Sequence, residues 1–164
     1  MDAGYETEEA VTSGGRWDLV LASGAAAEAN VPAIFIFGDS TADVGNNDYL
    51  PTRARANFPY YGIDFPNGTA TGRFSNGFNS ADEIARKFGF KMSPPPFLVL
   101  KLEELRAQMS RGINFASGAA GIFDHTGSSF GTVLPMGLQV QHFATVSANL
   151  TASMGFRCGA SLAL

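Results

Sequence analysis

The chain has 164 residues, a formal net charge of −4 and a hydrophobic content of 45%, which suit one globular domain with a sizeable core. The acidic balance argues against a nucleic-acid partner, which would need a clustered basic face. Cys158 is the only cysteine, so an intramolecular disulfide framework is excluded. No run approaches the ~20 apolar residues that a membrane-spanning helix requires.

Residues 1–30 predict a flexible leader. A degenerate signal peptide is the alternative, because Arg16 precedes an apolar run at 19–22 and a small-residue run at 25–29. Against this alternative, residues 1–10 are acidic, whereas a signal peptide begins with basic residues. The leader therefore does not fix the compartment.

Residues 33–37 (Ala-Ile-Phe-Ile-Phe) predict a buried strand that runs into the turn Gly38-Asp39-Ser40. Ligands of open α/β sheets bind outside the carboxyl ends of the strands, so Ser40 is a candidate nucleophile. A serine hydroxyl needs a base, usually a histidine that a carboxylate orients. The alternative is that Ser40 is a simple turn residue and not a nucleophile. Asp39 and Asp43 flank Ser40 and are expected to support its loop through hydrogen bonds to the backbone.

Residues 50–72 are rich in proline and glycine and predict a long surface segment. A helix is predicted over 80–88, with Ser80 as its N-cap, Glu83 completing a capping box and Gly89 ending it. Its predicted apolar stripe consists of Ala81, Ile84, Ala85 and Phe88.

The apolar residues Leu98, Leu102, Leu105 and Met109 recur at helical spacing and predict core packing. Residues 113–116 predict the second strand, and residues 139–150 predict a further amphipathic helix. The glycine-rich turn 118–121 fits neither a phosphate-binding loop nor a dinucleotide fingerprint.

Three segments in order resemble the plant-type GDSL esterase/lipases, which are SGNH-hydrolase-like. Residues 38–47 (GDSTADVGNN) resemble the first block of that family, and residues 112–121 (GINFASGAAG) resemble its second block. Between them, residues 67–77 contain the family's Gly-Arg-Phe-Ser-Asn-Gly segment. The resemblance covers only the N-terminal portion of the family pattern. It implies an α/β fold of the flavodoxin-like three-layer α/β/α type, incomplete because the C-terminal part is absent.

The resemblance also implies hydrolysis of small-molecule or lipid esters through an acyl-serine at Ser40, without cofactor or metal. Gly118 matches the glycine whose backbone N–H joins the oxyanion hole, where charge builds on the substrate oxygen. The family's later Gly-x-Asn-Asp and Asp-x-x-His blocks are absent. Residues 45–48 match the first pattern as letters, but they lie on the same loop as Ser40 and are rejected. His125, beside Asp124, is the better of the two histidines as a replacement base, and an exposed loop position is its alternative.

We therefore expect a leader at 1–30, the N-terminal part of the esterase domain at 31–147 and a divergent tail at 148–164. The chain is expected to be truncated and weakly active or inactive, and a non-catalytic fragment that binds a ligand or partner is the alternative. Oligomeric state stays open. Family members are commonly secreted, and the sequons at Asn67 and Asn149 matter only on that route.

Overall fold

The computed structural model describes residues 31–153, so the predicted leader and the end of the predicted tail lie outside the described residues. The regular elements are the strands β1 (Ile34–Ile36) and β2 (Gly112–Asn114) and the helices α1 (Ser80–Lys87), α2 (Leu102–Gln108) and α3 (Met136–Ser153). Long loops with short 3₁₀ turns connect these elements.

The two strands form a parallel sheet in which Ile34 lies opposite Gly112 and Ile36 lies opposite Asn114. The ladder continues beyond both strands, because the N–H of Ser117 donates to the carbonyl of Gly38 at 3.1 Å. The loops that follow β1 and β2 therefore leave the same edge of the sheet. The α/β class is present in the described residues.

Both faces of the sheet pack against helices, α1 on one face and α3 together with Leu105 of α2 on the other, because successive side chains of a strand point to opposite faces. Ile36 lies in a cluster with Ala81 of α1. Phe35 and Phe37 lie on the other face, where their ring centroids are 5.1 and 5.6 Å from that of Phe143 in α3. The strand that leads to Ser40 is thus held between two helices.

The N-cap of α1 is Asn79 rather than Ser80, and Asp82 rather than Glu83 closes the capping box. Asn79 Oδ1 accepts hydrogen bonds from the first turn, and Asp82 Oδ2 accepts the N–H of Asn79 at 2.9 Å. Asp82 also forms a buried pair with Arg73. Asp82 is thus buried in two sets of contacts, whereas Glu83 is exposed.

The predicted apolar stripes are only partly buried. Ala81, Ala85 and Met109 are buried, but Ile84 is 48% exposed and Leu102 is 62% exposed. A two-stranded sheet covers only part of each helix, so the outer side of each stripe remains largely in solvent.

Candidate functional site

Ser40 lies in a tight turn directly after β1. Asp39 organises this turn, since its Oδ1 accepts the N–H of Thr41 at 2.9 Å and its carbonyl accepts the N–H of Asp43 at 2.9 Å. Gly38 enters the turn with φ of 145°, a conformation that L side chains rarely adopt. Ser40 is half-buried, and its N–H and hydroxyl make no hydrogen bond to any residue of 31–153. Neither group is therefore engaged by another residue of the described part of the chain.

Asp43 joins the Ser40 loop to the loop that follows β2. The residue is fully buried, and its Oδ1 accepts the N–H groups of Gly45 and Asn46 at 2.8 Å each. Its Oδ2 accepts the N–H of Gly118 at 2.9 Å. Burial raises the pKa of Asp43, and the backbone donors oppose that rise.

Gly118, expected to supply an oxyanion donor, thus already donates its N–H to Asp43 in this structure. The position is also tightly packed, because a Cβ there would lie 2.5 Å from the Phe74 ring and 2.8 Å from Asn47 Nδ2, so that these side chains would have to shift. The sequence marks Gly118, and it marks Asp43 as a support of the Ser40 loop, but it does not predict the hydrogen bond that joins the two residues.

Two asparagines that the sequence analysis did not single out as site residues bind the same loop. Asn46 Nδ2 donates to the carbonyls of Asn114 and Ala116, and Asn47 Nδ2 donates to the carbonyl of Gly118 at 2.9 Å. Both amides are fully buried and already bonded, so neither faces a substrate. The consecutive asparagines are visible in the sequence, but their burial is not.

Gln139 is a third residue that the sequence pattern did not single out as part of the site. Its side chain crosses from α3 to the turn, where it bonds both the N–H and the carbonyl of Gly38. Residues from α3 and from the loop after β2 therefore fix the backbone that precedes Ser40.

Neither histidine hydrogen-bonds to Ser40. His125 is exposed, and its ring centroid is 5.8 Å from that of Phe123. His142 is half-buried in α3 and stacks on Phe97 at 4.6 Å, and burial lowers its pKa. Within residues 31–153, Ser40 has no basic side chain as a hydrogen-bond partner.

An open cleft of about 430 Å³ adjoins the turn; Gly38, Asp39 and Thr41 line it, whereas Ser40 is not among its lining residues. Its walls are mainly apolar and include Ile36, Ile84, Ile122 and Met136. A cleft of this lining suits an apolar group better than a charged one.

The described part of the chain contains no cluster of three or more metal-ligating side chains. Its longest helix, α3, is not apolar enough over 18 residues to cross a membrane, and neither is any other helix described.

The family model and the relatives that match this chain all point to the same family. The family model for GDSL-like lipase/acylhydrolase matches residues 34–154. The chain is 46% identical over 123 residues to the GDSL esterase/lipase At5g55050 of Arabidopsis thaliana, which covers 72% of this chain and 32% of the relative. Two further GDSL esterase/lipases of the same plant are similar to it. At1g33811 is 50% identical over 119 residues, which cover 72% of this chain and 30% of the relative. At2g42990 is 40% identical over 136 residues, which cover 83% of this chain and 38% of the relative. The chain spans about a third of the length of these relatives. No solved structure matches it.

Proposed function

We propose that this chain, which belongs to the GDSL-like lipase/acylhydrolase family, carries the nucleophile of a carboxylic ester hydrolase and that Ser40 is that nucleophile. Family membership supports ester hydrolysis as the reaction class. The observation that carries the assignment is the position of Ser40 in a rigidly held turn at the carboxyl edge of β1, with its N–H and hydroxyl unbonded. An apolar cleft adjoins this turn.

In the proposed reaction, Ser40 Oγ attacks the ester carbonyl and the alcohol leaves, which gives an acyl-serine that water then hydrolyses. The free N–H of Ser40 is suited to bind the oxyanion that forms. Gly118 can add its N–H only after it releases Asp43, because one N–H cannot serve both acceptors at full strength. Loss of a single such donor costs about 10²–10³ in rate.

The proposed substrates are small-molecule or lipid esters, since the walls of the cleft suit an acyl group. For the fold, we propose the flavodoxin-like three-layer α/β/α type, which the helix on each face of a parallel sheet supports. We retain residues 31–147 as the N-terminal part of that domain, residues 1–30 as a leader and residues 148–164 as a divergent tail. Asp39 and Asp43 are proposed to support the loop, and no cofactor, metal or nucleic acid is part of the proposal.

The chain by itself is proposed to hydrolyse esters feebly or not at all. A serine hydroxyl without a general base is a weak nucleophile. Serine hydrolases that lack triad members retain only about 10³–10⁴-fold catalysis over water.

The experiment combines turnover with labelling. Purified chain, the Ser40→Ala variant and the control Ser110→Ala are compared in the hydrolysis of p-nitrophenyl butyrate, and we expect equal rates. The same proteins are incubated with excess fluorophosphonate, and the modified peptide is located by mass spectrometry. Slow modification at Ser40 alone supports the proposal, whereas equal modification of the Ser40→Ala protein contradicts the nucleophile assignment. Turnover well above that of Ser40→Ala contradicts the feeble activity and shows that a base activates Ser40.

A further inference from the structure

Asn67, Gly68 and Thr69 form an exposed Asn-x-Thr sequon at the tip of a turn. The φ of 70° and ψ of 11° at Asn67 fit the third position of a type II turn, and Pro66 occupies the second. The N–H of Gly68 closes the turn on the carbonyl of Phe65 at 2.8 Å. The Asn67 side-chain amide makes no hydrogen bond within residues 31–153, so its nitrogen faces solvent unengaged.

The two polar side chains of this sequon lie close to one another. Thr69 Oγ1 donates to the carbonyl of Asn67 at 3.3 Å, a long and exposed hydrogen bond. The Thr69 hydroxyl therefore lies next to the backbone of Asn67, the residue whose side-chain amide would react. A weak contact of this kind is easily exchanged for a contact with an enzyme.

The second sequon, Asn149 to Thr151, lies inside α3. Side chains two residues apart on a helix do not face each other, so the Asn149 amide and the Thr151 hydroxyl point in different directions. The Thr151 hydroxyl is also bonded to the carbonyl of Ser147 at 2.9 Å. To present this pair together, the last turns of α3 would have to unwind.

We propose that Asn67 is an acceptor for N-linked glycan and that Asn149 of the folded chain is not. The co-reactant is an oligosaccharide on a lipid diphosphate, the donor present in the secretory pathway. The Nδ2 atom of Asn67 bonds to the anomeric carbon of the first sugar, and the bond between that carbon and the diphosphate oxygen breaks. The lipid diphosphate leaves with the electron pair, and one amide proton passes to a base of the transferase.

The surface beside Asn67 suits the attached sugar. A cleft of about 550 Å³ is lined by Gly68 and Thr69 together with Phe58, Tyr60 and Ile63. Tyr60 is 85% exposed and Ile63 is 60% exposed. The C–H face of a pyranose packs against aromatic rings of this kind and removes them from water. A glycan at Asn67 would thus shield apolar side chains that are otherwise in solvent.

The test uses the full chain made without glycan and folded, a purified eukaryotic oligosaccharyltransferase and a dolichyl-diphosphate oligosaccharide. Synthetic peptides of residues 62–72 and 144–154 are treated in parallel, and both are expected to accept glycan because both contain a sequon. Intact-mass measurement of the folded chain should then show one added oligosaccharide. The Asn67→Gln variant should lose that shift, and the Asn149→Gln variant should keep it.

Thr69→Ala gives a second check, because it destroys the sequon and leaves Asn67 in place, and it should also abolish the mass shift. Glycan on Asn149 of the folded chain, or an unmodified Asn67 under conditions that modify both peptides, would overturn the proposal. These results do not depend on whether Ser40 reacts with esters.

Discussion

Gln139 bonds both backbone polar groups of Gly38, although 101 residues separate the two positions. Gln139 Oε1 accepts the N–H of Gly38 at 3.0 Å, and Gln139 Nε2 donates to the carbonyls of Gly38 and Leu134 at 2.9 and 2.7 Å. The glutamine is fully buried. It therefore couples α3 to the residue that begins the Ser40 turn.

Substitution Gln139→Leu is expected to lower the free energy of unfolding by about 1–3 kcal/mol, because it leaves the Gly38 N–H and the Leu134 carbonyl without partners. Urea denaturation followed by circular dichroism measures this change. Gln141→Leu is the matched control, since Gln141 is exposed on the same helix, and it should change stability by less than about 0.5 kcal/mol. Equal effects of the two substitutions would contradict a structural role for the Gln139 bonds.

Asp82 is expected to be the charged side chain whose neutralisation costs most. It binds Arg73 at two points, 2.7 and 2.8 Å, and it is fully buried. Substitution Asp82→Asn leaves the buried guanidinium without a counter-charge, which costs about 3–5 kcal/mol of unfolding free energy. Glu83→Gln is the control, because the Glu83–Arg86 pair is exposed and worth about 0–1 kcal/mol. Thermal or urea unfolding of the two variants compares them directly.

Asp82 also predicts how stability changes in acid. Burial raises the pKa of Asp82, but the hydrogen bonds from Arg73 and from the backbone outweigh it, so the net pKa is lowered below 3.8. The unfolded state then binds the proton more readily than the folded state. The stabilisation is present above pH 3.8 and is lost as the pH falls through the lower pKa of the folded state. As the pH is lowered from about 4.5 through the pKa of folded Asp82, the free energy of unfolding should fall less for the Asp82→Asn variant than for the wild-type chain.

His142 is expected to reduce the free energy of unfolding as the pH falls below 6.5, a higher pH range than the one in which Asp82 acts. Burial lowers its pKa from 6.5, and its buried Nδ1 has no hydrogen-bond partner in the described residues. The folded state therefore takes up the proton less readily than the unfolded state, and stability decreases as the pH drops below 6.5. His142→Phe keeps a ring on Phe97 and should lose less stability than wild type between pH 7.5 and 5.5. The exposed His125→Phe should retain the wild-type profile, and an identical profile for His142→Phe would contradict the prediction.

Gly118 is expected to tolerate no side chain. In Gly118→Ala the added Cβ meets the Phe74 ring and the Asn47 amide, and such overpacking costs about 1–3 kcal/mol. Gly137→Ala is the matched control in α3, because its Cβ would meet only Asp124 Oδ1, at an ordinary 3.6 Å. That variant should be unchanged or more stable by up to about 1 kcal/mol. Differential scanning calorimetry distinguishes the two, and a Gly118→Ala protein as stable as wild type would contradict the close packing.

The sequence by itself determined which segments of this protein form strands and helices, and their order along the chain. Apolar runs at residues 33–37 and 113–116 specify two strands, because a run of large apolar side chains is stable only when it is buried. Capping residues and apolar spacing locate the helices to within a few residues, since both signals act over one or two turns. The position of Ser40 in a turn after a buried strand is likewise a local property.

The tertiary structure decided which polar groups are bonded to which. Asp82, which closes the capping box with Asn79, also pairs with Arg73 nine residues away, a contact that no helical spacing predicts. The Gly118 N–H reaches Asp43 across 75 residues, and Gln139 reaches Gly38 across 101. Partners at such separations depend on the path of the whole chain, whereas sequence periodicity reports only on neighbours along one element. Burial makes these partners obligatory, because a buried polar group without one costs free energy.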